Sequence, residues 1–267
     1  MNICVCVKQV PDTTEIKIDP ATNTLIRDGV PSIVNPYDTY ALENAARIKD
    51  KDQETKITVV SMGPEQAKAA LKECLAIAAG KAYLVTDRAF GGSDTLATSY
   101  ILSRAIRKIE ETEGKFDCIF CGKQAIDGDT AQVGPEIAEY LGYPQVTYAL
   151  EAETSENGLR VIQQGPEHKQ VLSVAVPCVI TFTQPDFDVR YPTIKRKMAA
   201  NRAQIPNVTA VDLSELDLEK CGLQGSPTKV KQTFVPVRSK SGMIVKEETI
   251  EDSSRKLAQL LSDAHVI

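Results

Sequence analysis

Cys121-Gly122-Lys123-Gln124-Ala125-Ile126-Asp127-Gly128-Asp129-Thr130-Ala131-Gln132-Val133-Gly134-Pro135 holds, in one run, a strand end, a loop of small and polar residues, and the start of a helix. Before it, Asp117-Cys118-Ile119-Phe120-Cys121 is short, apolar and β-prone. After it, Gly134-Pro135-Glu136-Ile137-Ala138-Glu139-Tyr140-Leu141-Gly142 opens on Gly-Pro and closes on Gly, the punctuation of a short helix. The loop thus delivers the chain to a helix N-terminus, where unpaired N–H groups and the positive end of the helix dipole favour an anion. Gly128, Ala131 and Gly134 would let a nucleotide approach the backbone closely. Asp127 and Asp129 would repel phosphate, so they are expected to accept hydrogen bonds from ribose hydroxyls, loop amides or adenine. On spacing alone the same residues also fit an ordinary βα loop whose Asp and Thr cap turns.

Working outward, residues 1–142 alternate apolar runs with helical periodicity, which predicts an α/β fold: a Rossmann-like three-layer sandwich around a mostly parallel sheet. The strands fall at residues 3–7, 56–61, 82–86 and 117–121. Helices fall at residues 38–49, at 64–79 with Ala67, Ala70, Leu71, Cys74, Leu75 and Ala78 on one face, and at 94–111 with Ile101, Leu102, Ala105 and Ile109. Residues 15–26 alternate polar and apolar around Pro20-Ala21-Thr22-Asn23, suggesting a small hairpin after the first strand. Ligands of open parallel sheets bind beyond the carboxyl ends of the strands, where strand order reverses. Cys6-Val7-Lys8, Ser61-Met62-Gly63 and Gly122-Lys123-Gln124 end the first, second and fourth strands, so they converge on one crevice.

From Tyr148 the chain changes character. Residues 159–163, 169–176 and 178–182, parted by Gly165-Pro166 and Pro177, predict antiparallel strands that extend the sheet. Residues 184–202 read as a loop with Arg190, Lys195, Arg196, Lys197 and Arg202. Gly222-Leu223-Gln224-Gly225-Ser226-Pro227 reads as a linker between a nucleotide-binding domain, residues 1–222, and a C-terminal arm, residues 223–267. In that arm residues 230–237 are extended, and residues 247–264 form an amphipathic helix with Ile250, Leu257, Leu260, Leu261 and Ala264 in register. A helix on an irregular arm cannot bury such a stripe within its own segment, so it must dock on this domain or on another chain.

Composition narrows the functional classes. The 267 residues are 42% hydrophobic and 25% charged, ordinary for a soluble protein with a sizeable core. A net charge of -5 argues against a nucleic-acid surface, which needs clustered excess cation. Met1-Asn2-Ile3-Cys4-Val5 reads directly as a strand without a basic and apolar leader, and the longest apolar run, residues 171–182, is broken by Ser173 and Pro177, short of the roughly 20 residues that span a bilayer. The expectation is a cytoplasmic protein without membrane partners. The seven cysteines sit mostly in apolar strands and imply no disulfide framework. Cys118 and Cys121 match C-x-x-C, yet i and i+3 of a strand face opposite ways, and no second pair completes a metal set. His168 and His265 lack partners for catalysis.

Gly122-Lys123-Gln124-Ala125-Ile126-Asp127 resembles the corresponding segment of the beta subunit of electron transfer flavoproteins. Val7-Lys8-Gln9-Val10-Pro11, Asn35-Pro36-Tyr37-Asp38, Val60-Ser61-Met62-Gly63-Pro64 and Arg190-Tyr191-Pro192-Thr193-Ile194 resemble other segments of that family, in its order, from Met1 to about Arg202. The resemblance implies an adenine nucleotide in the crevice, lined by Cys6, Asn35, Pro36, Tyr37, Asp38, Met62 and residues 122–133. Cys6 and Met62 would give mainly backbone and apolar contact to adenine, although Met62 reads equally well as a core residue at a strand end.

The simplest members of the family hold a structural AMP. Asp38 and the glycine-rich loop resemble instead a branch from anaerobes whose beta subunit binds a whole second FAD. What that branch implies is an isoalloxazine near Lys8, Val10 and Pro11 that takes hydride from NADH, with the two electrons divided between acceptors. One would be the FAD of an obligate alpha subunit serving an acyl-CoA dehydrogenase, the other a ferredoxin or flavodoxin. The terminal helix and part of the sheet edge would meet the alpha subunit. The family also carries a recognition loop for dehydrogenases, which falls on Arg190, Tyr191, Ile194 and Lys195, with Ile194 protruding. No catalytic acid, base or nucleophile stands out, which suits electron transfer better than group transfer. Two other classes share features. Phe90-Gly91-Gly92-Ser93-Asp94 is a weak match to an ATP pyrophosphatase loop, lacking its leading Ser and following the third strand instead of the first; Ser93 and Asp94 more simply cap a helix. An ATP-binding regulatory module of the universal stress type would share the sheet without a redox role.

Overall fold

Apolar strands separated by amphipathic helices assemble in this computed structural model, which describes residues 1–12, 18–19, 24–25, 31–229, 231 and 242–267, around one nine-stranded sheet. The chain divides into two units, Met1–Lys17 with Leu25–Lys231, and Ile18–Thr24 with Gln232–Ile267.

In the first unit β1 (Asn2–Cys6) leads through a short ladder of β2 (Gln9–Pro11) and, later in the chain, β5 (Ser32–Val34) into α1 (Pro36–Lys51). Then come β6 (Lys56–Met62), α2 (Lys68–Ile77), β7 (Lys81–Val85), α3 (Thr95–Glu113), β8 (Cys118–Gly122) and α4 (Val133–Leu141). These are the four predicted strands with their helices. They are followed by β9 (Gln145–Ser155), β10 (Gly158–Gln164), β11 (Lys169–Val174), β12 (Cys178–Phe182), α5 (Ile194–Arg202) and β13 (Asn207–Val208). The sheet order is β11-β10-β9-β12-β8-β1-β6-β7-β13. Neighbouring strands from β9 to β13 in that order run parallel, and only the β9–β10 and β10–β11 pairs are antiparallel.

The antiparallel extension is therefore smaller than the sequence suggested. β12 does not add to the edge; it enters the sheet between β8 and β9, parallel to both, with Cys178 opposite Cys118 and Phe182 opposite Gly122. All five of its residues are buried, the pattern of a strand covered on both faces, whereas β11 alternates toward solvent.

Two cores follow from the period-2 alternation of each strand. Ile3, Val5, Ile57, Val59, Phe120 and Ile180 meet Ala41, Leu42 and Ala45 of α1 and Ala70, Leu71 and Cys74 of α2. On the other face Cys4, Cys6, Val60, Ile119, Cys121 and Val179 meet Ile101, Ala105 and Ile109 of α3 and Ile137 and Leu141 of α4. Cys118 and Cys121 fall in different cores, so the C-x-x-C spacing brings no thiol pair together. Among the described residues no helix is long and apolar enough to cross a membrane.

The 184–202 segment also differs from its reading as loop throughout. Its second half is α5, which packs on α2 although it buries only Ala200. The segment 222–228 is fixed to the start of α3: Ser93 Oγ accepts from Gly222 N at 3.0 Å, Ser226 Oγ accepts from Asp94 N at 2.8 Å, and the Asp94 carboxylate accepts from Thr228 N at 3.0 Å.

β3 (Ile18–Asp19) and β4 (Thr24–Leu25) form a two-stranded ladder, the described part of the hairpin expected over residues 15–26. Its turn, and residues 230–237 apart from 231, lie outside the described residues. The terminal helix, α6 (Ile250–Asp263), is capped by Thr249, whose hydroxyl accepts from Asp252 N at 3.0 Å; within its own unit it buries none of its residues.

Asn44 joins α1 to the far parallel strands: its Oδ1 accepts from Ala152 N of β9 at 3.1 Å and its Nδ2 donates to Tyr40 O at 3.0 Å, with no exposed surface. Asn44→Ala strands a buried N–H, and we expect it to lower unfolding free energy by about 1–3 kcal/mol in denaturant titration, with m unchanged.

Candidate functional site

Strand order reverses beside β1: the chain passes from β1 to β6 on one side and returns with β8 on the other, so their carboxyl ends splay apart and open a crevice. Asp38, in the first turn of α1, closes the base of it. Its Oδ2 accepts from Lys8 N at 2.6 Å, and its Oδ1 accepts from Gly122 N at 3.1 Å and from Asn35 Nδ2 at 2.9 Å. One carboxylate thus joins the end of β1, the start of α1 and the end of β8. Gly122 permits this approach, because a Cβ there would lie 2.2 Å from Asp38 Oδ1. Burial pushes the Asp38 carboxyl up to about 7, against the pull of its three N–H donors.

Asn35 sets the loop that follows. Its Nδ2 donates to Gln124 O at 2.8 Å and its Oδ1 accepts from Ile126 N at 3.1 Å, so a side chain with almost no exposure grips the backbone on both sides of Ala125. Beyond it, Ala125 O accepts from Gly128 N and Asp129 N. Asp129 and Ala131 adopt positive φ, 53° and 55°, and carry the chain to α4. Among the described residues the N–H groups of Thr130, Ala131 and Gln132 have no protein acceptor, and no side chain caps α4. This is a row of free donors at a positive helix end.

The two loop carboxylates are engaged differently from expectation. Asp127 takes the Lys8 ammonium at 2.7 and 2.9 Å, and Asp129 accepts from Gln124 Nε2 at 2.6 Å; both brace the loop through side chains, not through its amides. Gly128 has open space where a Cβ would stand. Gly134 serves helix packing instead of ligand approach, since a Cβ there would lie 2.4 Å from Thr181 Cγ2 of β12.

These parts surround a cavity of about 850 Å³. Of the residues singled out from sequence, Cys6, Lys8, Asn35, Asp38, Met62, Gly122, Lys123, Gln124, Ala125, Gly128, Thr130, Ala131, Gln132 and Val133 line it. Val10, Pro11, Pro36, Tyr37, Ile126, Asp127 and Asp129 are not among its lining. Val10 is buried in the β2–β5 ladder opposite Ile33, Tyr37 packs edge-on against Tyr40, and Pro36 is the first residue of α1. The sequence assigns Ser93 and Asp94 of Phe90-Gly91-Gly92-Ser93-Asp94 to helix capping. In the structure this stretch, with Thr86, Asp87 and Arg88 after β7 and Thr95, Thr98 and Leu102 of α3, forms a second wall that was not expected. The two walls touch where Thr95 Oγ1 donates to Gln132 Oε1 at 3.1 Å. Asp94 itself caps α3, accepting from Ala97 N at 3.1 Å. The floor between the walls is apolar: Cys6, Met62, Val85, Phe90, Leu102 and Cys121. Donation to Cys6 and burial hold the Cys121 thiol well above the usual thiol range, so it is neutral.

The arrangement suits a phosphate-bearing ligand with a flat apolar group. Donors for phosphate come from the 130–133 backbone and the α4 terminus, and the floor accepts a ring system. Away from the cavity, Tyr191 and Ile194 are 92% and 82% exposed, and Lys195 is exposed beside them. Arg190, by contrast, is engaged within the chain, its guanidinium donating to Glu43 and Asp50.

Comparison with known proteins gives a family. Residues 22–213 match the electron transfer flavoprotein domain. The chain is 50% identical over 250 residues to the electron transfer flavoprotein subunit beta of Megasphaera elsdenii, covering 93% of this chain and 92% of that one. It is 48% identical to the subunit of the same name from Thermoanaerobacterium thermosaccharolyticum, and 43% identical to the caffeyl-CoA reductase-Etf complex subunit CarD of Acetobacterium woodii, each covering both chains in full.

The Asp38 carboxyl supplies a prediction of pH dependence. Its folded pKa, raised to about 7, exceeds the value near 3.9 of an unfolded chain, so folding takes up a proton between those limits. The stability it contributes is complete below about pH 4 and is lost as the pH rises through 7. In denaturant titrations the midpoint of the parent chain should therefore fall further between pH 5 and pH 8 than that of Asp38→Asn. Equal falls would show that this carboxyl does not carry the dependence. The Asn amide would also face N–H donors, lowering stability by about 1–3 kcal/mol at either pH.

Proposed function

This chain belongs to the electron transfer flavoprotein family as a beta subunit, and we propose that its cavity binds FAD, in a heterodimer that takes electrons from NADH and divides them between two acceptors. The reading is supported above all by the cavity's two walls: donors for phosphate lie along 130–133, and a separate surface, residues 86–98, extends the space beyond one mononucleotide's needs. A beta subunit holding AMP in a structural role would leave that second wall without a ligand.

When bound, FAD supplies hydride acceptance and one-electron transfer; the protein supplies position and surroundings. The free N–H groups of Thr130, Ala131 and Gln132 would hold the diphosphate. Asn35, by fixing the backbone around Ala125, keeps that loop in its binding shape before any ligand arrives. Cys6, Met62 and the neutral Cys121 give a dry floor for a ring system. Lys8, paired with Asp127 across the rim, carries its charge next to the loop without placing a bare ammonium in the floor.

On the acceptor side, an alpha subunit with its own FAD is the obligate partner, with the α6 stripe as part of the contact. The division of the chain into residues 1–222 for the nucleotide and 223–267 for association is part of the same proposal. An acyl-CoA dehydrogenase fits the relative named as part of a caffeyl-CoA reductase complex. The second acceptor is a ferredoxin or flavodoxin, and the location is cytoplasmic. Tyr191, Ile194 and Lys195 form the dehydrogenase contact.

Two measurements test this. Nucleotides released from the purified heterodimer should include two FAD per complex by mass spectrometry, and NADH should rapidly bleach the flavin absorbance. One FAD with one AMP, inert to NADH, would replace the proposal with the structural-AMP reading. Separately, Ile194→Ala should weaken coupling to the dehydrogenase about tenfold or more with flavin content unchanged, the loss expected of an exposed apolar anchor.

A further inference from the structure

We propose that Arg190 and Arg196 are positioning residues that hold Tyr191, Ile194 and Met198 as a preformed apolar ridge, so that a partner dehydrogenase meets a rigid surface and orders no loop on docking. The inference rests on the docking reading above.

The three apolar side chains of the ridge are open to solvent. Tyr191 is 92% exposed, Ile194 82% and Met198 55%. Ile194 and Met198 stand four residues apart on α5 and so share a face. Little apolar surface holds this segment down, since α5 buries only Ala200. The segment is held by charge-assisted hydrogen bonds from its two arginines.

Arg190 precedes the ridge and grips α1. Its Nε and one terminal nitrogen donate to the two oxygens of Glu43 at 2.8 and 2.9 Å, and its terminal nitrogens donate to Asp50 at 2.7 and 3.2 Å. Its backbone N–H also donates to Glu43, at 3.2 Å. Glu43 is buried, so this fork also neutralises a carboxylate that water cannot reach. Three residues earlier the Phe187 ring lies 4.0 Å beneath the guanidinium of Arg47.

Arg196, within the ridge, grips α2. Its guanidinium donates to Leu75 O, Ala76 O and Ala79 O at 2.9, 3.0 and 3.1 Å. Leu75 and Ala76 are in the last turn of α2 and Ala79 is just past its end, where a cation is favoured by the dipole as well as by the hydrogen bonds. The contact is reciprocal, because Lys72 of α2 donates to Asn201 O in the last turn of α5 at 3.1 Å. Thr193 completes the fixation by capping α5, its hydroxyl accepting from Arg196 N at 3.3 Å.

Two of the cations that sequence places around Ile194 are therefore spent inside the chain. Lys195 and Lys197 remain exposed, with no carboxylate within ion-pair distance among the described residues, to steer an acidic partner. A ridge fixed in advance avoids the ordering cost that a mobile loop would bring to docking.

The test uses the assembled heterodimer. Arg196→Gln removes the guanidinium fork but keeps an amide donor at the end of α2, and should fold. It should raise the apparent KM for the dehydrogenase about tenfold, equivalent to about 1.4 kcal/mol, with kcat and flavin content unchanged. Hydrogen exchange of the peptide over residues 188–200 should speed up, and Arg196→Lys should recover part of both effects. For Arg190 the paired variant Arg190→Gln with Glu43→Gln avoids an orphaned buried carboxylate and should act in the same direction. Unchanged exchange, or faster exchange with an unchanged KM, overturns the clamp. Ile194→Ala separates the two levels: if it weakens coupling while Arg196→Gln does not, only the clamp is wrong, and if it has no effect the docking reading fails with it.

Discussion

The carboxylate of Asp38 is the constraint on which the site depends. Three segments far apart in sequence end at the same point, and each brings an N–H to the one carboxylate: Lys8 N, the Asn35 amide and Gly122 N. Removing water from a carboxylate is costly, and the three donors offset that cost only in part. The position of Asp38 in turn requires glycine at 122 and fixes Asn35, whose amide then shapes the loop that follows β8. The geometry of a flexible-looking stretch of small residues is thus set from beneath by one helix start.

Cations follow a related logic. The chain is acidic overall, and the basic residues nearest its functional surfaces are largely committed to internal partners: Lys8 to Asp127, Arg190 to Glu43 and Asp50, Arg196 to helix carbonyls. Of the cations lining the cavity, Lys8 is paired with Asp127, while Arg88 and Lys123 have no carboxylate partner among the described residues. Side-chain charge holds the loops in shape.

The parallel half of the sheet was legible because each strand is a short apolar run and each helix shows a 3.6-residue stripe; Ala70, Leu71, Cys74, Ile101, Ala105 and Ile109 are all buried as the pattern requires. The loop at 121–135 was legible for the same reason, being the junction between such elements. β12 was misplaced because topology is not local. Its uninterrupted Cys178-Val179-Ile180-Thr181-Phe182 does carry the mark of a strand covered on both faces. α5 left no periodic signal, since long-range bonds from Arg196 and Lys72 hold it in place of an apolar stripe. The second cavity wall follows the same grammar of strand end, glycines and helix cap at Gly91-Gly92-Ser93-Asp94, but only the closing of the sheet brings it opposite the first.

The late insertion of β12 has a consequence for biosynthesis. When β8 leaves the ribosome its outer edge has no neighbour, and β9, β10 and β11 are all made before the strand that separates β9 from β8. Until β12 is made, the edges of β8 and β9 that it joins have no strand between them, and unpaired edges are where mispairing begins. Because Thr181 seats the start of α4 and Phe182 O accepts from Lys123 N, the loop over residues 123–132 can reach its final form only after residue 182 has emerged. The crevice at the sheet's carboxyl end is thereby complete only when most of the domain has been translated.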